Sequence, residues 1–176
     1  KSRNMLRRAV AANPAAFVVG TGCYVQIKPE EAAGIIGLDL LLGANEKHRL
    51  FALAAAGARA KANAHSAGSP QVEVSPAETA CVYQELGNAN SLTSRTRAFV
   101  KIEDGCNQFC SYCIVPYARG PVRSRPLPAV LAEMRALVAA GYQEIVLTGI
   151  HVGAWQAEGQ SFADAVASSR GGYGVY

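Results

Sequence analysis

Apolar positions along the chain follow two periods. Over residues 2–12, Met5, Leu6, Ala9 and Val10 recur at helical spacing while Arg3, Arg7 and Arg8 fall on the other face. That predicts a helix with Ser2 as its cap, stopped by Asn13-Pro14. Phe17-Val18-Val19 reads as a short strand running into Gly20-Thr21-Gly22-Cys23. Pro29-Glu30-Glu31 opens a short helix, since proline is tolerated early and acids suit the first turn. Leu38 to Leu42 is a second buried strand, closed by Gly43. Asn45 is placed to cap a further helix through about Ala56, ended by Gly57. Helix, strand, helix, strand, helix is the pattern of a parallel sheet with covering helices. Two strands are few for such a domain, so sequence is expected upstream of Lys1.

Residues 58–94 lose this periodicity. Ala, Ser, Gly, Asn and Pro dominate, which predicts a linker with at most one short strand near Val72 to Val74. Order returns at Arg97-Ala98-Phe99-Val100-Lys101-Ile102, which alternates as a strand. Prolines and glycine give residues 114–126 an irregular path. Pro128 opens a helix over about 128–140 with Val130, Leu131, Met134, Leu137 and Val138 on its apolar face, closed by Gly141. Glu144-Ile145-Val146-Leu147-Thr148 is a buried strand followed by Gly149-Ile150-His151-Val152-Gly153. Strand, loop, helix, strand predicts a right-handed parallel crossover. Ser161 to Ala167 can begin another helix, and the Gly/Tyr-rich tail from Ser168 carries no pattern. The predicted divisions are 1–57, a linker over 58–94, and 95–176.

Composition narrows the class. The chain has 176 residues, half of them apolar and 17% charged, with a formal net charge of +4. That is enough to bury a core, in one domain or two small ones. No apolar run reaches the roughly 18–20 residues of a membrane span. The start shows no signal-peptide core. A soluble, reducing, cytoplasmic setting is expected, where clustered cysteines point to metal or redox chemistry.

Three of the five cysteines lie within eight residues, as Cys106-x3-Cys110-x2-Cys113, directly after a predicted strand. Three thiolates can converge on one metal and leave a cubane iron–sulfur cluster one open iron, whereas a structural cluster takes four cysteines. A zinc site usually wants four protein ligands, in pairs two to four residues apart, and no fourth is evident. Cys23 stands just past a predicted strand, where open α/β sheets bind ligands; it reads either as part of a site or as a buried structural thiol. Cys81 has no neighbour at ligand spacing and reads as an incidental thiol. Between Arg95 and Arg125 there are six basic residues and two acids. These arginines could meet phosphate, hold a cofactor carboxylate, or simply be solvated.

The stretch Gly105-Cys106-Asn107-x-Phe109-Cys110-Ser111-Tyr112-Cys113-Ile114-Val115-Pro116-Tyr117-Ala118-Arg119-Gly120, with Ser124-Arg125-Pro126, resembles the radical S-adenosylmethionine methylthiotransferases. Thr21-Gly22-Cys23-Tyr24-x-Gln26 is similar to the last cysteine motif of their N-terminal domain. Gly120 to Pro126 and Leu147 to Gly153 resemble the branch acting on threonylcarbamoyladenosine in transfer RNA. The resemblance spans residues 1 to about 167.

The resemblance implies a partial flavodoxin-like parallel α/β domain followed by the start of a (β/α) partial TIM barrel, an internal piece of a longer enzyme. It implies that Cys106, Cys110 and Cys113 hold a [4Fe–4S] cluster whose open iron takes S-adenosylmethionine, giving a deoxyadenosyl radical. Tyr112 would pack near the adenine, and Thr148 and Gly149 near the methionine end. Cys23 would serve a second [4Fe–4S] cluster together with two cysteines earlier in that domain, which this sequence does not contain. Implied partners are the tRNA anticodon loop and a reductant protein. Isopentenyladenosine in tRNA or a ribosomal protein are alternative substrates, and a structural metal-binding module is the alternative without catalysis.

Overall fold

The computed structural model describes residues 1–63, 68–85 and 97–169. The interior of the expected linker, Arg95 and the tail from residue 170 lie outside these. The chain divides into two compact units, Lys1–Ala80 with Ser111–Gly120, and Cys81–Cys110 with Pro121–Tyr176.

The first unit begins with α1 (Ser2–Ala12). Lys1, not Ser2, is at its N-cap, and no side chain caps it. Leu6 and Val10 pack inward, whereas Met5, expected on that face, is exposed. Next come β1 (Val19–Thr21), α2 (Cys23–Ile27), α3 (Pro29–Ala33) and β2 (Leu40–Leu42). A 3-10 turn, Lys47–Arg49, leads into α4 (Leu50–Asn63), and β3 (Gln71–Glu73) follows. The three strands form one parallel sheet in the order β1-β2-β3, with Gly20 opposite Leu41 and Leu41 opposite Val72. All three leucines of the central β2 are buried, as a strand covered on both faces requires. Val25, Ala32, Ile35, Leu38 and Leu41 form the core, with Leu6, Val10, Val18 and Val74 against it.

The short strand expected near Val72 to Val74 is present as β3, one residue earlier. Two other expectations fail here for local reasons. Helix α4 runs through Gly57 instead of ending there, because the glycine makes room for a ring: an added Cβ would stand 2.6 Å from Phe17 Cε2. Asn45 does not cap α4 either. Its amide donates to Ser75 Oγ and the Pro76 carbonyl, both at 3.2 Å.

The second unit is built on β4 (Arg97–Lys101) and β7 (Glu144–Thr148), paired in parallel from Arg97 opposite Glu144 to Lys101 opposite Thr148. Between them lie β5 (Glu103–Asp104), β6 (Arg123–Ser124) and α6 (Leu127–Ala139). The path over 114–126 is less irregular than expected, since β5 and β6 pair antiparallel. It also contains a short helix, α5 (Val115–Arg119), which belongs to the first unit. Helix α6 buries Leu127, Val130, Met134 and Leu137 against Ala98, Val100, Ile102 and Ile145. Its end is fixed by Gly141, at φ 94°. There the Gly141 N–H donates to Val138 O (2.9 Å) and the Tyr142 N–H to Leu137 O (3.1 Å), a Schellman closure.

After β7 a two-stranded hairpin, β8 (Gln156–Ala157) and β9 (Gln160–Ser161), turns on Glu158 and Gly159, both at positive φ. Such a turn matches strand twist. Helix α7 (Phe162–Ser169) then starts with a capping box. The Ser161 N–H donates to Asp164 Oδ2 at 2.8 Å, and the Asp164 N–H donates to Ser161 Oγ at 3.4 Å.

Candidate cluster and cofactor site

The cysteine loop leaves β5 through Gly105, whose φ of 86° suits glycine. Asp104 Oδ1 accepts the Gly105 N–H at 2.9 Å. Asp104 Oδ2 pairs with Lys101 Nζ at 2.5 Å and stands 3.7 Å from Arg123 Nη2. The root of the loop is thus pinned by charge. Farther along, Phe109 holds φ at 46°, a left-handed conformation that costs a non-glycine residue of order 1 kcal/mol. Such strain concentrates at functional sites, and this one bends the backbone between two of the three cysteines. The Val122 N–H closes the loop's base by donating to Asn107 Oδ1 at 3.1 Å.

Cys106, Cys110 and Cys113 are free thiols. Cys110 is exposed and the other two are half-buried. No three His, Cys, Asp or Glu side chains among the described residues are drawn together as a ready metal-binding group. The donor set nevertheless fits an iron–sulfur cluster: three soft thiol ligands, unpaired and partly accessible, on a bent loop leaving a strand. Tyr112 is 91% exposed, so its ring is open to a ligand. Cys23 is the first residue of α2, just past the end of β1, and is also a free, half-buried thiol. Gln26, one turn on, ties α2 to the ends of the other strands of that sheet. It accepts from the Ala44 N–H at 2.6 Å and donates to Ser75 O at 2.8 Å.

Thr148 ends β7, and its carbonyl accepts the Ile102 N–H at 2.9 Å. Gly149 follows against Glu103, a residue that the sequence reading left aside. Glu103 is fully buried; its Oε2 accepts the His151 N–H at 2.7 Å, and its Oε1 has no partner among the described residues. One signal was available: an acid directly after the alternation Ala98, Val100, Ile102 and before the loop's first glycine. In the same unit a cleft of about 850 Å³ opens beside Asn107 and Gln108, with Tyr83, Arg123 and His151 on its wall.

The basic stretch, for which phosphate, a cofactor carboxylate or solvent were the alternatives, is largely committed within the protein. Arg97 pairs with Glu144 at 2.7 Å and Lys101 with Asp104. Arg125 is buried between Glu85, at 2.6 Å, and Glu133. Burial alone would lower the affinity of Arg125 for its proton, but hydrogen bonds to Glu85 and Glu133 raise it. The Arg125 carbonyl accepts the Trp155 indole N–H at 3.0 Å. Most of the pairing acids lie outside residues 95–125, which is why counting charge within that window misled.

Comparison with known proteins adds a lineage. The Radical SAM superfamily model matches residues 100–167, the segment holding the three-cysteine loop, Thr148 and Gly149. The chain is 41% identical over 155 residues to the threonylcarbamoyladenosine tRNA methylthiotransferase MtaB of Bacillus subtilis, covering 88% of this chain and 33% of that protein. It is 33% identical over 150 residues to the protein of the same description from Aquifex aeolicus, covering 84% and 34%. It is 36% identical over 139 residues to the tRNA-2-methylthio-N(6)-dimethylallyladenosine synthase of Paracoccus denitrificans, covering 78% and 28%. The chain thus spans about a third of the length of the curated relatives it matches. With its three-cysteine loop inside the segment matched to the superfamily, the chain is similar over most of its length to radical S-adenosylmethionine methylthiotransferases.

Proposed function

We propose that this chain carries the cofactor-cleaving part of a transfer RNA methylthiotransferase that acts at C2 of N6-threonylcarbamoyladenosine beside the anticodon. On this reading the first unit is flavodoxin-like and the second opens a partial TIM barrel. Cys106, Cys110 and Cys113 hold a [4Fe–4S] cluster, and Cys23 contributes to a second one with cysteines from outside residues 1–176. The supporting observation is the trio of free thiols on the loop after β4 and β5, inside the segment matched to the superfamily.

Held by Cys106, Cys110 and Cys113, such a cluster would supply one-electron reduction of S-adenosylmethionine, chemistry beyond any side chain. The residues' own part is placement. Tyr112 offers an exposed ring for the adenine. Thr148 and Gly149, at the C-terminal end of β7, meet the methionine end, where barrel sites lie. The reductant protein and the anticodon loop are the proposed partners.

The relative named for dimethylallyladenosine supports a second reading, in which only the substrate differs. Nucleosides from tRNA of a deletion strain separate the two by mass spectrometry. Selective loss of the methylthio form of threonylcarbamoyladenosine is expected. Loss of the dimethylallyladenosine product instead favours the second reading, and loss of neither overturns both.

A further inference from the structure

A fully buried carboxylate with one unpaired oxygen is costly unless something uses it. Glu103 is such a group. It lies on β5, three residues before Cys106, and its partner is not a neighbour in sequence. Oε2 accepts the backbone N–H of His151, 48 positions on, at 2.7 Å. It also fills the space beside Gly149, where an added Cβ would stand 2.7 Å from Oε2 and 3.1 Å from Glu103 Cβ. One side chain therefore joins the root of the cysteine loop to the turn that ends β7. Neighbouring bonds run the same way. The Ile102 N–H donates to Thr148 O, and the Arg125 N–H to Ile102 O at 2.8 Å.

We propose that Glu103 is a positioning residue for S-adenosylmethionine. Through the His151 N–H and its contact with Gly149 it fixes the turn following Thr148 relative to the cysteine loop, touching neither iron nor cofactor. The proposal rests on the assignment of the cluster and cofactor sites above. It accounts for glycine at 149, since any side chain there would displace the carboxylate. It also accounts for an acceptor at 103, where an apolar residue would pack as well but leave the His151 N–H unpaired.

The test uses the full-length protein, reconstituted anaerobically. For wild type, Glu103→Leu, Glu103→Gln and Gly149→Ala, iron content, melting temperature, S-adenosylmethionine affinity by equilibrium dialysis and amide hydrogen exchange across 145–155 are measured. Glu103→Leu is expected to keep its iron, bind cofactor about tenfold or more weakly, and speed exchange selectively at His151. Glu103→Gln keeps an acceptor and should bind within about threefold of wild type. Gly149→Ala should weaken binding like Glu103→Leu.

A folded, iron-loaded Glu103→Leu variant with wild-type affinity overturns the proposal. If that variant fails to fold, Gly149→Ala decides alone: wild-type affinity with unchanged His151 exchange is the contradicting result. A wild type that takes up no iron and no cofactor overturns the site assignment itself, a different failure.

Discussion

A glycine inside a helix ordinarily costs about 1 kcal/mol relative to alanine. Gly57 in α4 reverses that sign, because Phe17 lies where a methyl would go. Overpacking costs about 1–3 kcal/mol, which outweighs the propensity gain. Gly57→Ala should lower stability by about 1 kcal/mol in denaturant titrations, and the same change in a Phe17→Leu background should be neutral or stabilising. Nothing local in the sequence distinguishes this glycine from one that ends a helix, since the ring it faces is forty residues away.

Tyr83 carries a pH prediction. Burial first, then the neighbouring carboxylates, push its phenol up to about 12, with Arg125 opposing. Its hydroxyl donates to Lys101 O at 3.0 Å, which only the protonated form can do. Since the folded value is raised, its contribution to stability is complete below about 10, the ordinary tyrosine range, and lost as pH rises through about 12. The ultraviolet difference between wild type and Tyr83→Phe should show a phenol ionising near 12; one ionising near 10 contradicts this.

At the scale of elements, the long patterns were legible and the shortest ones were not. Strand β7 and helix α6 follow their expected spans closely because five and thirteen residues give the period room to repeat. The β5–β6 pair has two residues in each strand, so tertiary pairing alone defines it. The Cys106, Cys110 and Cys113 spacing could be read directly, because the three proposed ligands lie within eight residues of sequence. The long-range contacts of Glu103 and Arg125 could not.

Arg125 ties three segments together: Glu85 before β4, Glu133 on α6, and Trp155 before β8. Its pair with Glu133 is largely shielded from water, so removing one partner strands a buried charge, at about 3–5 kcal/mol. Arg125→Met should lose stability on that scale in thermal melts. Adding Glu133→Gln should restore a good part of it, and an unchanged melting temperature in the single variant contradicts the pairing.

On the scale of the whole molecule, charge and lineage point in different directions at first sight. A net charge of +4 invites a nucleic-acid surface, yet four of the described basic residues between 97 and 125 are engaged by carboxylates. They organise the second unit instead of waiting for phosphate. No helix among the described residues is long and apolar enough to cross a membrane. The likeness to methylthiotransferases rests on the matched segment and its relatives, and the proposed chemistry rests on three thiols.

Anaerobic reconstitution followed by electron paramagnetic resonance therefore tests the central claim most directly. The full-length protein should turn brown and give a reduced-cluster signal that shifts when S-adenosylmethionine is added, and Cys110→Ala should abolish the shift and the release of deoxyadenosine. A signal unmoved by the cofactor, or undiminished deoxyadenosine release by Cys110→Ala, contradicts it.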